Sequence, residues 1–104
     1  MRHIRFHVGR IEAIGNGRAL VGGGCRGAEI RKGDWTTAMI KTDGVDGAGE
    51  EIMRRQLLII FHTMQTHGRE IEVISPGMTA EIIVPDTLTE EMHLNWILEG
   101  HCGE

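Results

Sequence analysis

Short apolar stretches of alternating side chains, separated by glycines, are the feature that most constrains this fold. Ile4, Phe6 and Val8 lie two residues apart, and so do Ile71 and Val73, which is the spacing of a strand with one buried face. The chain has 15 glycines in 104 residues, and glycines between short apolar runs indicate many tight turns. The sequence therefore predicts a mostly β protein of one domain's size.

Particular glycines mark where the strands bend or end. Gly9 interrupts the alternation that follows Val8, which predicts a β-bulge. Tight turns are predicted at Gly15–Gly17, at Lys32–Asp34 and at Ser75–Gly77, because these residues tolerate or impose the backbone angles that turns require. We expect the strand around Leu20 to end in Gly22–Gly24.

Two further segments have a distinct character. The stretch from Leu57 to Met64 is the most apolar part of the chain, which predicts a central strand covered on both faces. The segment from Lys41 to Glu51 has three glycines, several acids and few apolar residues, and it predicts a mobile surface loop. Thr79 to Val84 should form the last clear strand, which Pro85 ends.

The C-terminal tail predicts a helix from Leu88 to about Leu98. Thr87 and Glu90 have the spacing of a capping box, and Leu88, Met92 and Trp96 share one helical face. This helix would cap the open end of a barrel or dock on a second copy. An added strand across Leu94 to Leu98 is the alternative. We therefore expect a β-barrel domain over residues 1–86, with residues 87–104 as a C-terminal helix and tail packed on it or extending from it.

Charge is unevenly distributed along the chain, whose net charge is −4. Residues 1–41 hold eight basic and three acidic residues, a net charge of +5, and residues 42–104 hold three basic and twelve acidic residues, a net charge of −9. The basic half either presents a face to an anion or an acidic partner, or is neutralised where strands of the two halves interleave. We expect the second outcome for most of these charges.

The sequence offers little support for catalysis, a metal or a cofactor. Six histidines and two cysteines lack the close pairs of a zinc site. Cys25 beside Arg26 could have a lowered thiol pKa, but a turn thiol without function is the simpler interpretation. Met1 to Arg5 lack the apolar stretch of a signal peptide, and no run reaches the length of a membrane span. We therefore expect a cytoplasmic protein with reduced thiols.

Several motifs resemble one known family in order and spacing. They are Phe6, Val8, Ile11 and Ile14, then Gly17–Gly23, then Ile30–Asp34, and finally Ile71, Ile74, Pro76–Ala80, Ile82 and Val84. Together, over residues 4–84, they resemble the second domain of elongation factor Tu-type translation GTPases. The resemblance implies a small closed or partly open antiparallel β-barrel that contacts a neighbouring domain and RNA. It does not extend to GTP hydrolysis, because Gly44–Gly49 lacks the lysine of a phosphate-binding loop.

These observations favour a non-catalytic binding module that contacts a protein or RNA partner. The candidate contact residues are basic and lie at predicted turns and strand ends: Arg18, Arg26, Arg31 and Lys32. Four aromatic residues supply little base stacking, which disfavours sequence-specific RNA recognition. The alternatives are a structural homo-oligomer that assembles through strand edges or the C-terminal helix, and a small metal- or thiol-dependent enzyme.

Overall fold

Strands make up most of the protein in a computed structural model that describes residues 1–45 and 47–104. The described elements are β1 Arg2–Gly15, β2 Arg18–Cys25, β3 Ile30–Arg31, β4 Trp35–Thr42, β5 Glu51–Ile60, β6 Thr63–Thr66, β7 Arg69–Ile71, β8 Val73–Ile74, β9 Thr79–Pro85, a 3₁₀ helix at Asp86–Glu91, and β10 Ile97–Cys102. The prediction of a mostly β protein is confirmed. None of the described helical residues forms a segment long and apolar enough to span a membrane.

Eight of the strands form one antiparallel sheet in the order β5-β4-β10-β1-β2-β9-β6-β7. The short strands β3 and β8 pair separately, with Ile30 opposite Ile74. Pairing of β1 with β2 shifts register between Val8 and Arg10, so the predicted bulge at Gly9 is present. The bulge lets the fourteen-residue β1 bend while it pairs on both sides.

The three predicted turns are also present. Gly15, Asn16 and Gly17 all have positive φ, between 57° and 92°. At the second turn, the amide of Asp34 donates to the carbonyl of Arg31 at 2.9 Å. At the third, the amide of Met78 donates to the carbonyl of Ser75 at 2.9 Å, and Gly77 has a φ of 84°. Local residue chemistry therefore decides these reversals.

The prediction of a central strand over Leu57 to Met64 is wrong. Its first half, up to Ile60, lies in β5, which forms one end of the large sheet and pairs with β4, and Thr63 and Met64 begin β6. Leu57 and Ile59 are buried, whereas Leu58 is 56% exposed. A continuous apolar run fits a strand buried on both faces, but here the outward-facing residues have no layer over them in the described structure.

The predicted C-terminal helix from Leu88 to Leu98 is wrong as well. The chain forms a six-residue 3₁₀ helix and then turns at Asn95, which has a φ of 71°. It continues as β10, which pairs with β1 and β4. Leu88, Met92 and Trp96 do pack against the core, so the apolar pattern identified buried residues. The backbone N–H and C=O groups of Ile97–Cys102 therefore find their hydrogen-bond partners in the two neighbouring strands and not within a helix.

The glycines Gly22, Gly23 and Gly24 do not end β2 but lie inside it. Gly23 pairs with Val8 of β1 on one side and with Ala80 of β9 on the other. An ideal Cβ on Gly23 would lie 2.0 Å from the carbonyl oxygen of His7. Close approach of β1 to β2 at the bulge therefore excludes any side chain at this position.

The main core is one large cluster of buried apolar residues, most of them from the strands of the large sheet and from β3 and β8. Phe6 and Phe61 meet edge to face with ring centroids 5.7 Å apart, and both are fully buried. A smaller apolar cluster of Ala38, Ile40 and Ile97 lies apart from it. The β4–β5 connection reaches this second cluster, because Gly47 packs against Ile97. Asp46 of the predicted mobile loop lies outside the described residues.

Candidate functional site

A polar cleft of about 410 Å³ lies over the glycine-containing part of β2. β1 provides His7 and Arg10, the end of β2 leads into Arg26, and the β6–β7 turn provides His67. The complete lining is His7, Gly9, Arg10, Gly22, Gly23, Gly24, Arg26, Thr66, His67, Thr79, Ala80 and Glu81. Arginine, histidine and threonine side chains, together with the carboxylate of Glu81, thus surround a floor formed largely by glycine backbone.

Gly22 and Gly24 lie on the floor of the cleft, and both are buried beneath neighbouring side chains. A Cβ built on Gly22 would lie 3.6 Å from Nε of Arg10, and one built on Gly24 would lie 3.7 Å from Nε of Arg26. The Cα atoms of residues i and i+2 in a strand are roughly 7 Å apart. The guanidinium groups of Arg10 and Arg26 therefore lie over glycine backbone at two neighbouring points on the same face of β2.

The two arginines differ in their partners. Arg10 forms an ion pair with Glu81, and Gln65 donates to the other oxygen of that carboxylate at 3.0 Å. Arg26 is exposed, and it forms no ion pair with any residue in 1–45 or 47–104. Arg26 is consequently the cation at this cleft that can accept an external anion without first losing a partner.

The sequence-predicted contact residues do not converge on one site. Arg18 begins β2 and Arg26 follows its end, so about eight residues of strand, roughly 25 Å, separate them. Arg31 bonds Glu29 at 2.7 Å and the carbonyl of Glu104 at 2.6 Å. Lys32 lies 3.5 Å from Glu70. Of the four, Arg26 is the one that lines the cleft.

Sequence reasoning missed the other side chains of the cleft. Arg10, His7 and His67 lie on β1 and on the β6–β7 turn, far apart in sequence. They meet because β9 lies between β2 and β6 in the sheet. The sequence pointed to this region only through its glycines, Gly9 and Gly22–Gly24, because glycine inside a strand marks a bulge or a close approach of another backbone.

Neither cysteine has the surroundings of a nucleophile. Cys25 and Cys102 are both buried and free. Burial raises the pKa of the Cys25 thiol, whose sulfur donates to the carbonyl of Ala28 at 3.1 Å. Cys102 likewise donates to the carbonyl of Trp35 at 3.2 Å. The thiol of Cys25 is therefore held in its protonated, weakly nucleophilic form.

A second polar cluster surrounds Glu99 in the middle of the sheet. Its carboxylate accepts from Arg54 at 2.6 Å and lies 2.9 Å from Nε2 of His3. Burial alone raises the pKa of Glu99, but the bonds from Arg54 and His3 outweigh it, and the pKa lies below its usual range. The negative charge of Glu99 is thus balanced by Arg54 of the same chain. No group of three His, Cys, Asp or Glu side chains in the described chain is arranged to hold a metal ion.

Ion pairs join the basic and acidic halves of the sequence. Arg10 pairs with Glu81, Arg5 approaches Glu99 at 3.8 Å, and Lys32 pairs with Glu70. Neutralisation between interleaved strands is therefore seen at these positions, and Arg26 is left as an exception at the cleft.

Comparison with known protein families, with curated proteins and with solved structures finds no match to this chain. Inferences about its function therefore rest on the geometry and chemistry of its own residues.

Proposed function

We propose that this protein is a non-catalytic binding module that receives an anionic group of a protein or RNA partner in the cleft over Gly22–Gly24. The single observation that carries the proposal is the pair of arginines, Arg10 and Arg26, over the glycine backbone of Gly22–Gly24. The guanidinium of Arg26, which has no ion-pair partner among the described residues, favours binding of a carboxylate or phosphate there.

The composition of the cleft limits the kind of contact. Its lining includes Thr66 and Thr79, which can donate hydrogen bonds to an anion, and it includes no Phe or Trp. Bases of RNA would find no large aromatic surface for stacking. Recognition through backbone phosphates, or through the side-chain carboxylate of an acidic protein segment, is the mode that these residues support.

The proposed fold kinship is with the second-domain barrel of elongation factor Tu-type translation GTPases. Two observations support a partly open barrel. One sheet holds eight strands beside one main core. Leu58 and Ile60 of the end strand β5 line a groove together with Ile83 and Val84 of β9, which lies third from the other end of the sheet.

Fluorescence anisotropy with two labelled probes tests the proposed binding site. One probe is a short single-stranded RNA and the other is a Glu-rich peptide, each titrated at several salt concentrations. We expect Arg26→Ala to weaken binding of the recognised probe about tenfold, since a charge-assisted hydrogen bond contributes about 1.5–3 kcal/mol. If the probe is RNA, the slope of log affinity against log salt concentration should also decrease by the amount expected for about one phosphate contact.

Two further variants make the test specific. Gly24→Val should weaken binding without any change of charge, because its side chain adds bulk where the guanidinium of Arg26 now lies. Arg18→Ala removes the same charge as Arg26→Ala from the opposite end of β2 and should bind like the native protein. Equal losses in Arg18→Ala and Arg26→Ala, or binding of neither probe, would rule out the cleft as the site.

A further inference from the structure

We propose that β5 is an interface through which two copies of this chain associate, strand to strand and antiparallel, about a two-fold axis near Gln56. This inference goes beyond the proposed binding function and does not depend on it. β5 has ten residues at one end of the large sheet, and among the described residues it pairs with β4 alone. Its outer side therefore offers backbone groups to another strand.

Exposed apolar residues lie along the edge of β5. Ile52 and Leu58 are 58% and 56% exposed, and Met53 and Ile60 are also exposed. The pairing of β5 with β4 shifts register between Gln56 and Ile59 and again between Met53 and Glu51. Of the two charged residues between these apolar positions, Arg54 forms ion pairs within its own chain, and Arg55 forms none with a described residue. Arg54 bonds Glu51 and Glu99 at 2.7 and 2.6 Å, and the guanidinium of Arg55 lies 5.8 Å from the ring centre of Trp96.

The sequence of β5 is complementary to itself when read in the opposite direction. Antiparallel pairing centred on Gln56 places Ile52 of one copy opposite Ile60 of the other. It places Arg54 opposite Leu58, so no two like charges are directly opposed. Each contact occurs twice, as a closed two-fold interface requires.

A groove beside β5 fits the side chains that a second β5 would bring. It has a volume of about 270 Å³ and is lined by Leu58, Ile60, His62, Ile83, Val84, Pro85 and Leu88. In the pairing centred on Gln56, Ile52 of the second copy lies beside Ile60 and can enter this groove. Each copy therefore offers one apolar side chain and one apolar groove.

Charge at the groove favours the same occupant. The 3₁₀ helix that carries Leu88 also carries Asp86, Glu90 and Glu91, none of which forms an ion pair with a described residue. An entering strand should therefore combine apolar residues with basic ones. The segment Ile52–Leu58 of a second copy has that combination, through Arg55, which forms no ion pair with a described residue of its own chain.

Analytical ultracentrifugation over a range of protein concentrations tests this interface. We expect a reversible dimer in the native chain, and an increase of at least about tenfold in its dissociation constant in Ile52→Lys, because lysine blocks strand-edge pairing. Val73→Lys introduces the same charge at an exposed apolar position of β8 and should dimerise like the native chain. A native chain that stays monomeric at its highest soluble concentration overturns the proposal, as does equal weakening in both variants.

Cross-linking provides a second measurement that does not depend on the folding of Ile52→Lys. Residues opposed on a two-fold axis of an antiparallel pair have Cα atoms about 4.5–5.5 Å apart, which a disulfide can span. Gln56→Cys should therefore form a covalent dimer on mild oxidation, whereas Val73→Cys should not. A Gln56→Cys protein that stays monomeric under oxidation, or that cross-links no faster than Val73→Cys, overturns the proposed register.

Discussion

Single glycines in β2 have different roles although they are neighbours in the sequence. Gly23 faces the core side, where the ring of Phe6 and the carbonyl of His7 leave no room for a side chain. Gly22 faces the cleft, where a Cβ would meet Arg10 at an ordinary contact distance of 3.6 Å. The first glycine allows two strands to approach, and the second keeps the cleft floor bare.

We therefore expect Gly23→Ala and Gly22→Ala to differ strongly in stability. A Cβ at Gly23 must displace the backbone of β1, which should lower the free energy of unfolding by about 1–3 kcal/mol or more. Gly22→Ala should change it by less than about 1 kcal/mol, since its backbone conformation suits an L-residue. Urea unfolding followed by circular dichroism compares the two, and similar values for both would contradict the packing of β1 on β2.

At the scale of elements, a buried ion pair ties the first strand to the β3–β4 turn. Arg2 in β1 donates to both oxygens of Asp34, at 2.6 and 2.9 Å. The backbone amide of Arg31 donates to the same carboxylate at 2.7 Å. Burial raises the pKa of Asp34, but the bonds from Arg2 and Arg31 outweigh it, so the pKa lies below its usual range.

The lowered pKa of Asp34 predicts a loss of stability in acid. A folded pKa below the unfolded value of about 3.9 stabilises the fold above that pH, and this contribution disappears as pH falls through the folded pKa. We expect Asp34→Asn to lower the free energy of unfolding at neutral pH by on the order of 2 kcal/mol. The difference from the native chain should shrink in acid, which urea unfolding at several pH values measures.

Glu29→Gln is the matched control for this effect. It removes the same charge from an ion pair with Arg31 in which both side chains are about two-fifths exposed. Such pairs contribute little to stability, so its free energy of unfolding should stay close to that of the native chain. A penalty for Asp34→Asn that did not change with pH would show that the carboxylate charge is not what stabilises this turn.

At the scale of the whole molecule, the end of the chain completes the middle of the sheet. β10 lies between β1 and β4, with Leu98 opposite Phe6 on one side and opposite Met39 on the other. Without it, β4 and β5 would lose their connection to the rest of the large sheet. Residues Ile97–Cys102 of the tail therefore form an interior strand of the large sheet.

A chain that ends at Asp86 should consequently fail to fold cooperatively. It would lack β10 together with Met92 and Trp96, which pack on the core. Circular dichroism and thermal unfolding should show no cooperative transition in this variant. A chain that ends at Cys102 should unfold cooperatively, because the hydrogen bonds that Gly103 and Glu104 accept lie at the exposed surface. Cooperative unfolding of residues 1–86 would instead support the predicted domain boundary at residue 86.

The candidate site was accessible to sequence reasoning only in part. Arg26 was selected with Arg18, Arg31 and Lys32 as a basic residue at a predicted turn or strand end, and of the four it is the one that lines the cleft. Arg10 and His67 carried no local signal, since an arginine in a strand and a histidine in a turn are usually solvated surface residues. Their relevance arises from β1 and the β6–β7 turn meeting around β2, which depends on strand order.

The amino-acid sequence by itself determined the period-two strands, the bulge at Gly9 and the three glycine-containing turns, because these depend on backbone conformations that neighbouring residues impose. Tertiary structure alone decided that β5 is an end strand, that Ile97–Cys102 pairs between β1 and β4, and that Gly22–Gly24 lies inside β2. The physical reason is that apolar residues such as Leu58 and Leu98 report a tendency to be buried, whereas hydrogen-bond pairing with distant strands selects the partner and the form of each segment.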